Sequence, residues 1–583
     1  MSDKSQTNLP DQKALEKEIG DYLSHKYGDR IKIVSAGMFP QLDGEADGQQ
    51  AENGEAGFNF DLKPEELVAY LDEYVIKQDW AKAVLSTKIC THFNRIRFLE
   101  EKNRFPSQAN GRVKNNILLI GPTGAGKTFM VKLIADLLGV PFVKGDATKF
   151  SETGYVGGDV EDLVRDLVRA ADDDISRAQY GIIYVDEIDK IAHHPGRSGL
   201  DVSRSGVQRA LLKPMEETEV DLKVPHDMVS QLEAMEHFRL TGKRKKKLIN
   251  TKNILFIMSG AFDGLEEIVH RRRHKKTIGF AGRLTSAKAN QESLIQARAE
   301  DLVEFGFENE FIGRLPITAV LEPLTVADLS AILKNVNSSL LLAKRQDFMV
   351  YGIKLAFEDE ALSALASLAA KQKTGARALV SVVENTLLPF EKKLPSTNIK
   401  FLTVTARMVA DPEKELQHLL KSSKRREFHR RHFEQVRKKQ TARLAKFFRA
   451  KKSGWLRDNG VGPTKARISL LASYAFAENI SPNEACEDFA GLVGHLSNWQ
   501  EKIFKQCGSR VRFTTEAVDY CLDQEPKSPG GLDIICAKLL KAMEYGLSLL
   551  EHEGHEHEIA ITSAALRDPE KFINELVEKQ MKL

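Results

Sequence analysis

The chain has 583 residues, a length that fits three or four domains. Its 42% hydrophobic and 29% charged residues describe an ordinary globular protein and exclude a disordered one. The 85 Lys+Arg are nearly balanced by 82 Asp+Glu, which excludes a chain-wide nucleic-acid footprint. No apolar run is long enough to span a bilayer, and no signal-peptide core follows Met1. The five cysteines (Cys90, Cys486, Cys507, Cys521 and Cys536) form no C-x-x-C pair and read as reduced thiols. The expected compartment is the cytoplasm, with no membrane partner.

Residues 11–40 hold a helix pattern from Ala14 to Tyr27 and a short strand pattern from Ile31 to Val34. Residues 41–57 shift to Gly, Glu, Asp, Gln and Ala, too little apolar surface to order itself. Residues 1–60 are therefore expected to be an extension and acidic linker. Pro64-Glu65-Glu66 opens a helix, and Tyr74 to Gln78 is expected to begin the next.

The most specific signal is Gly121-Pro122-Thr123-Gly124-Ala125-Gly126-Lys127-Thr128, a complete P-loop. Its glycines let backbone N–H groups turn towards phosphate oxygens; Lys127 reaches the β- and γ-phosphates, and the Thr128 hydroxyl sits on Mg²⁺. The apolar run 116–120 before it and the helix expected over 129–138, beginning at Phe129, are the context that confirms the motif. ATP and Mg²⁺ are the expected ligands. Downstream, Gly181 to Asp186 is a buried-strand pattern ending on the acids Asp186 and Glu187. Asp186 is expected to hold Mg²⁺, and Glu187 to orient and deprotonate the attacking water, which makes this a hydrolase.

Strand patterns at 116–120, 141–144, 181–186, 253–259 and 317–321 alternate with helical ones. The expected fold class is α/β: a P-loop NTPase large domain with a parallel five-stranded sheet, followed by small α-rich domains. Lys213-Pro214 should bend or end its helix. Two insertions, 221–250 and 270–295, carry basic runs and read as surface loops. Residues 421–452 form a strongly basic helical stretch, either a solvated face or a site for nucleic acid or an acidic partner.

Past that stretch the chain repeats itself. The segment starting at Ile353 is echoed from Val511, and both copies end on Asp-Pro-Glu-Lys, at 411–414 and 568–571. Aligned through Gly375 and Gly530, Arg377 of the first copy falls on Leu532 of the second. The expected domains are thus 1–60, a large domain over 61–324, a small domain over 325–418, a basic linker over 419–455, and a C-terminal extension over 456–583 that is a degenerate duplicate of the small domain.

Residues 62–417 resemble the AAA+ protein unfoldases of the ClpX/HslU family. The resemblance rests on Asp72–Ile76, the P-loop, Gly154–Gly157, Val185–Ile191, Ser259–Phe262, Glu310–Pro316 and Lys373–Arg377, all in the family's order. It implies a homohexameric ring with ATP bound between subunits. Val75 and Ile76 would form an apolar wall for adenine. Arg314 would be the arginine finger offered to the neighbouring subunit, and Arg377 the sensor-2 residue. Tyr155 and Val156 would form the pore loop that grips a protein chain. Ile278, Gly279 and Phe280 would dock on a ClpP-like peptidase.

The sequence departs from that family in lacking an N-terminal zinc module, in the Ser203–Val207 stretch where the second pore loop is expected, and in everything beyond residue 421. The expected function is ATP-driven unfolding and translocation of protein substrates, delivered to a peptidase. The alternatives are a remodelling chaperone without protease and a nucleic-acid remodeller, the latter disfavoured by the aromatic pore loop and the near-neutral charge.

Overall fold

The strand periodicity resolves into a sheet buried on both faces. A computed structural model describes residues 60–101, 114–151, 158–193, 201–222, 247–274, 294–507, 509–524, 530–548 and 559–581. The central sheet is built from β1 (Ile117–Ile120), β2 (Phe142–Asp146), β3 (Ile182–Asp186), β6 (Leu255–Gly260) and β7 (Ile317–Val320) in the spatial order β2-β3-β6-β1-β7. Every pairing is parallel, with Ile117 level with both Ile257 and Ile317. The α/β expectation therefore holds.

Successive side chains on a strand point to opposite faces, and here the alternation separates two cores. Leu118, Ile120, Ile183, Val185, Phe256 and Met258 face the helices Asp162–Ala170, Asp201–Met215 and Leu265–His274. Ile117, Leu119, Ile182, Leu255 and Ile257 face Pro64–Tyr74, Asp79–Glu101 and Lys127–Leu138. Each buried Leu, Ile or Phe contributes about 1.5–3 kcal/mol. The two layers together hold the strand ends, and the loops that leave them, in fixed positions.

Several sequence expectations shift. The second helix starts at Asp79, not within 74–78. Lys77 and Gln78 have φ of 64° and 65°, a left-handed pair that no right-handed helix can include. The run Arg271–His274 is not loop but the last turn of the helix Leu265–His274. Arg272 there makes a two-bonded pair with the buried Asp301, at 2.6 and 2.9 Å. Ser203–Val207 lies inside the helix Asp201–Met215, which ends one residue past Pro214. The first insertion starts and ends in a two-stranded antiparallel ribbon of β4 (Glu219–Asp221) and β5 (Leu248–Asn250).

After β7 come the helices Val326–Lys334 and Ser339–Val350, strand β8 (Lys354–Phe357), the helices Asp359–Lys371 and Arg377–Lys393, strand β9 (Phe401–Val404), and the helices Ala406–Ala410 and Pro412–Lys421. They enclose a core of their own. The long basic helix Ser423–Phe447 and a π turn, Phe448–Lys452, follow. The succession then recurs: Lys465–Glu478, Pro482–Cys507, β10 (Val511–Phe513), Thr515–Gln524, Gly531–Ser548, β11 (Ile559–Ile561), Ser563–Arg567 and Pro569–Met581. The basic helix packs between the two sets, with Phe433, Val436 and Leu444 sharing one apolar cluster with Ala356, Ile468 and Leu471. No helix among the described residues is long and apolar enough to cross a membrane.

Candidate nucleotide site

In a parallel sheet the C-terminal strand ends gather on one edge, where ligands bind. The loop after β1, the acids Asp186 and Glu187 at the end of β3 and the end of β6 meet there. Gly124 and Gly126 adopt φ of +76° and +101°, left-handed values that glycine adopts freely. Gly126 caps the helix Lys127–Leu138, so unpaired N–H groups and the positive helix end face the loop interior. Lys127 Nζ donates to the carbonyls of Gly121, at 2.5 Å, and Pro122, at 3.1 Å. Burial pushes its ammonium below the ordinary lysine value, the carboxylates of Asp186 and Asp189 oppose this, and Arg377 adds to it.

The metal-side residues form a hydrogen-bonded relay. Thr128 Oγ1 donates to the Tyr184 hydroxyl at 3.0 Å, Tyr184 and Ser259 hydroxyls lie 2.6 Å apart, and Ser259 donates to Asp186 Oδ1 at 2.6 Å. A hydroxyl has one proton to give, so Tyr184 must donate to Ser259. Thr128 then keeps both lone pairs free for a cation. Burial pushes the Tyr184 phenol up to about 12 and keeps it neutral. Burial also disfavours the charge on Asp186, but the Ser259 hydroxyl, Lys144 at 3.0 Å and the Glu187 N–H hold its carboxyl below the ordinary range. An ionised carboxylate 3.4 Å from a threonine hydroxyl is a hard-oxygen donor set that fits Mg²⁺.

Glu187 sits at φ 56°, ψ 32° with its side chain exposed at the site's mouth. A left-handed non-glycine residue costs about 1–2 kcal/mol, and such strain collects where a side chain must be aimed. Behind it, Asp189 accepts from the Ala261 N–H at 3.3 Å and ties the end of β3 to the end of β6.

The remaining sequence candidates divide. Pro122 is half-buried, Thr123 and Phe129 are exposed, and Ala125 is buried beside Val75. Val75 itself belongs to the core, whereas Ile76 is half-buried. The turn carrying them is clamped by Gln78, which exchanges two hydrogen bonds with the backbone of Glu322 at 2.7 and 2.8 Å. Arg377 opens the helix Arg377–Lys393, and the N–H of Ala376 just before it donates to Gly124 O at 2.9 Å. The small domain thus rests directly on the phosphate loop. Arg314 is elsewhere: its carbonyl accepts from Asn116 and its guanidinium pairs with Glu216. It precedes β7, level with the start of β1, whereas the phosphate loop follows the end of β1. The four-residue strand between them spans roughly 13 Å. Tyr155, Val156, Ile278, Gly279 and Phe280 lie outside the described residues.

Sequence reasoning missed Tyr184, Ser259, Lys144 and Gln78. The available signal was a phenol inside the otherwise aliphatic run Ile182–Val185, because a buried tyrosine hydroxyl needs a partner. Lys144 and Gln78 carried none, since their partners come from distant elements.

Residues 112–318 match the AAA domain (Cdc48 subfamily). Residues 324–394 match the C-terminal, D2-small domain, of ClpB protein. The two matches meet where β7 gives way to the helices that rest on the phosphate loop. An AAA domain followed directly by a segment similar to the small domain of ClpB makes the chain an ATP-hydrolysing AAA+ ATPase.

Proposed function

We propose that the protein is a ring-forming unfoldase and translocase in which ATP bound at one chain's phosphate loop is completed by Arg314 of the next. One observation supports the ring above all: Arg314 leaves the sheet at the end opposite Lys127 and Asp186. It reaches no phosphate in its own chain, yet its guanidinium is about half exposed. An arginine supplied in trans stabilises transition-state charge and makes hydrolysis depend on assembly. Bound Mg²⁺, held by Thr128 and Asp186, would neutralise phosphate charge. Glu187 would take the proton of the attacking water, and Arg377 would relay the state of the site to the small domain.

Protein clients are favoured over nucleic acid by the near-balance of 85 Lys+Arg against 82 Asp+Glu, which leaves no chain-wide cationic footprint. In the basic helix Ser423–Phe447, Arg425 pairs with Glu415, Arg431 with Glu427, Arg437 with Glu434 and Arg443 with Asp359, whereas Lys424, Arg430, Lys438 and Lys439 are exposed. Tyr155 and Val156 carry the gripping role. On either side of the stretch that carries them, Phe150 and Gly158 form a bridge. Delivery to a ClpP-like peptidase rests on Ile278, Gly279 and Phe280.

The same reading assigns 456–583 as a second small domain. Phe513 pairs with Ile561 as Phe357 pairs with Val404. Gly530 has φ +75° against +59° at Gly375. Asp411 and Asp568 each cap the helix after them by accepting from the N–H three residues on. Leu532, at the place of Arg377, is buried in apolar surroundings, so this copy offers no arginine to a nucleotide.

The test is Glu187→Gln in the full chain. It should bind ATP, assemble, hydrolyse about a hundredfold or more slower than the parent, as loss of a general base requires, and co-purify with trapped protein clients. Arg314→Ala mixed with Glu187→Gln should regain hydrolysis, because mixed rings contain seams with both residues intact. A chain that stays monomeric with ATP, or whose ATPase responds to DNA and not to unfolded protein, would sink the reading. Deleting 278–280 should abolish peptidase-dependent degradation and spare ATPase.

A further inference from the structure

The turn at Glu73–Gln78 links the first helix of the large domain to the second and carries Val75 and Ile76. It is held from two sides. On one side, Lys77 pairs with Glu322 at 2.8 Å and donates to Pro323 O at 3.1 Å, and Gln78 holds the Glu322 backbone. On the other, the partners come from far along the chain. Lys452, last residue of the π turn Phe448–Lys452, places Nζ 2.8 Å from Glu73 Oε2, with both side chains largely buried, 14% and 9% exposed. Asn483, in the first turn of the helix Pro482–Cys507, donates to the Tyr74 hydroxyl at 2.6 Å. The Glu73 carbonyl accepts from Asn335 at 2.9 Å and Asn337 at 3.0 Å, both in the first small domain.

The placement is unusual for an appended segment. Lys452 and Asn483 stand 379 and 409 residues beyond their partners. An ion pair this far from solvent is costly to leave half-made, so it forms only when the segment 448–507 is docked. The docked segment then bears on the two residues before Val75. Because Lys77 and Gln78 are left-handed, the turn has little freedom to absorb a shift at Glu73 without moving Ile76.

We propose that Lys452 and Asn483 are positioning residues for the base side of the nucleotide site, through which docking of the C-terminal region sets nucleotide affinity. The proposal rests on the reading of Val75 and Ile76 as the base wall. A C-terminal region that holds no arginine at the place of Arg377 acts on the ATPase here by bracing the wall from behind.

The experiment uses the full chain with Mg²⁺ and a fluorescent N-methylanthraniloyl ADP. Lys452→Met and Glu73→Gln should each weaken ADP binding and raise the KM for ATP by about two- to thirty-fold, the range for couplings that touch no ligand. The double variant should weaken binding by less than the product of the singles, with kcat at saturation changed by no more than about twofold. Asn483→Ala, a milder change, should shift KM in the same direction. Arg467→Met breaks another buried pair of the C-terminal region, with Asp519 at 2.7 Å, away from the turn. It should lower the melting temperature and leave ADP affinity alone. If Lys452→Met melts earlier but binds ADP normally, or if Arg467→Met raises KM equally, the contacts are only structural and the proposal falls. Ile76→Arg separates the two readings: normal ADP binding by that chain removes the base wall and the proposal together, whereas weakened binding beside an unaffected Lys452→Met removes the proposal alone.

Discussion

Asp186 owes its charge to neighbours rather than to exposure. Ser259→Ala removes its 2.6 Å donor, and hydrogen bonds to charged groups are worth about 1.5–3 kcal/mol. The proposed cation site needs the carboxylate, which is lost as pH falls through its depressed pKa. Without Ser259 that pKa rises towards the ordinary carboxylate range, so the acid limb of the ATPase pH profile should move to higher pH; near neutrality the carboxylate stays ionised, and about a tenfold or larger loss of kcat/KM should come instead from the lost hydrogen bond that orients it. Tyr184→Phe, which cuts the relay one residue earlier, should cost about fivefold through a neutral hydrogen bond and move the acid limb less. Steady-state ATPase rates from pH 5 to 9 decide the matter. An unmoved limb in Ser259→Ala would show that Lys144 and the Glu187 N–H hold the charge without it.

Among the elements, the phosphate loop is where two domains touch. A Cβ on Gly124 would lie 2.2 Å from Thr374 O of the small domain, whereas one on Gly126 would meet nothing within 4 Å. Both glycines are left-handed, so either alanine costs about 1–2 kcal/mol of backbone strain. Gly124→Ala must also push the small domain off the loop and break the Ala376–Gly124 hydrogen bond. Thermal unfolding should therefore show Gly124→Ala melting clearly below Gly126→Ala. Equal melting points would mean that the contact is not kept in solution. At this scale the strands were well read, because apolar runs of four to six residues between turn signals have few other uses. The turn at 75–78 was not, because its left-handed residues are a lysine and a glutamine, imposed by Glu322 some 244 residues away.

For the whole molecule, two buried histidines set an acid limit. His92 donates to Asn253 O at 2.9 Å. His429 accepts from the Thr403 N–H at 3.3 Å. Burial pushes each down to about 4 from 6.5; Lys114 and Arg95 add to the effect at His92, and Arg425 adds to it at His429. Between about pH 6.5 and 4 the unfolded chain binds protons that the folded one refuses, so stability falls as pH falls through that window. Each site contributes up to about 3 kcal/mol to the loss. Urea unfolding at pH 7.5 and 5.0 should show the drop, and replacing both histidines by glutamine should flatten it. A pH dependence that survives the double replacement would assign it to carboxylates instead.

The local code of this chain was sufficient for the ATPase. Loop glycines, a lysine and threonine at fixed spacing, and a strand ending in two acids determine phosphate chemistry within short stretches, since backbone geometry and charge act over a few residues. The C-terminal repeat is proposed from short-range patterns of the same kind. What joins distant stretches was decided only by folding: the Thr128–Tyr184–Ser259–Asp186 relay, the seating of Gly124 against Ala376, the position of Arg314 across the sheet, and the reach of Lys452 to Glu73. Each of these needs groups that meet only once the two cores have closed, and no spacing along the chain encodes a distance through space.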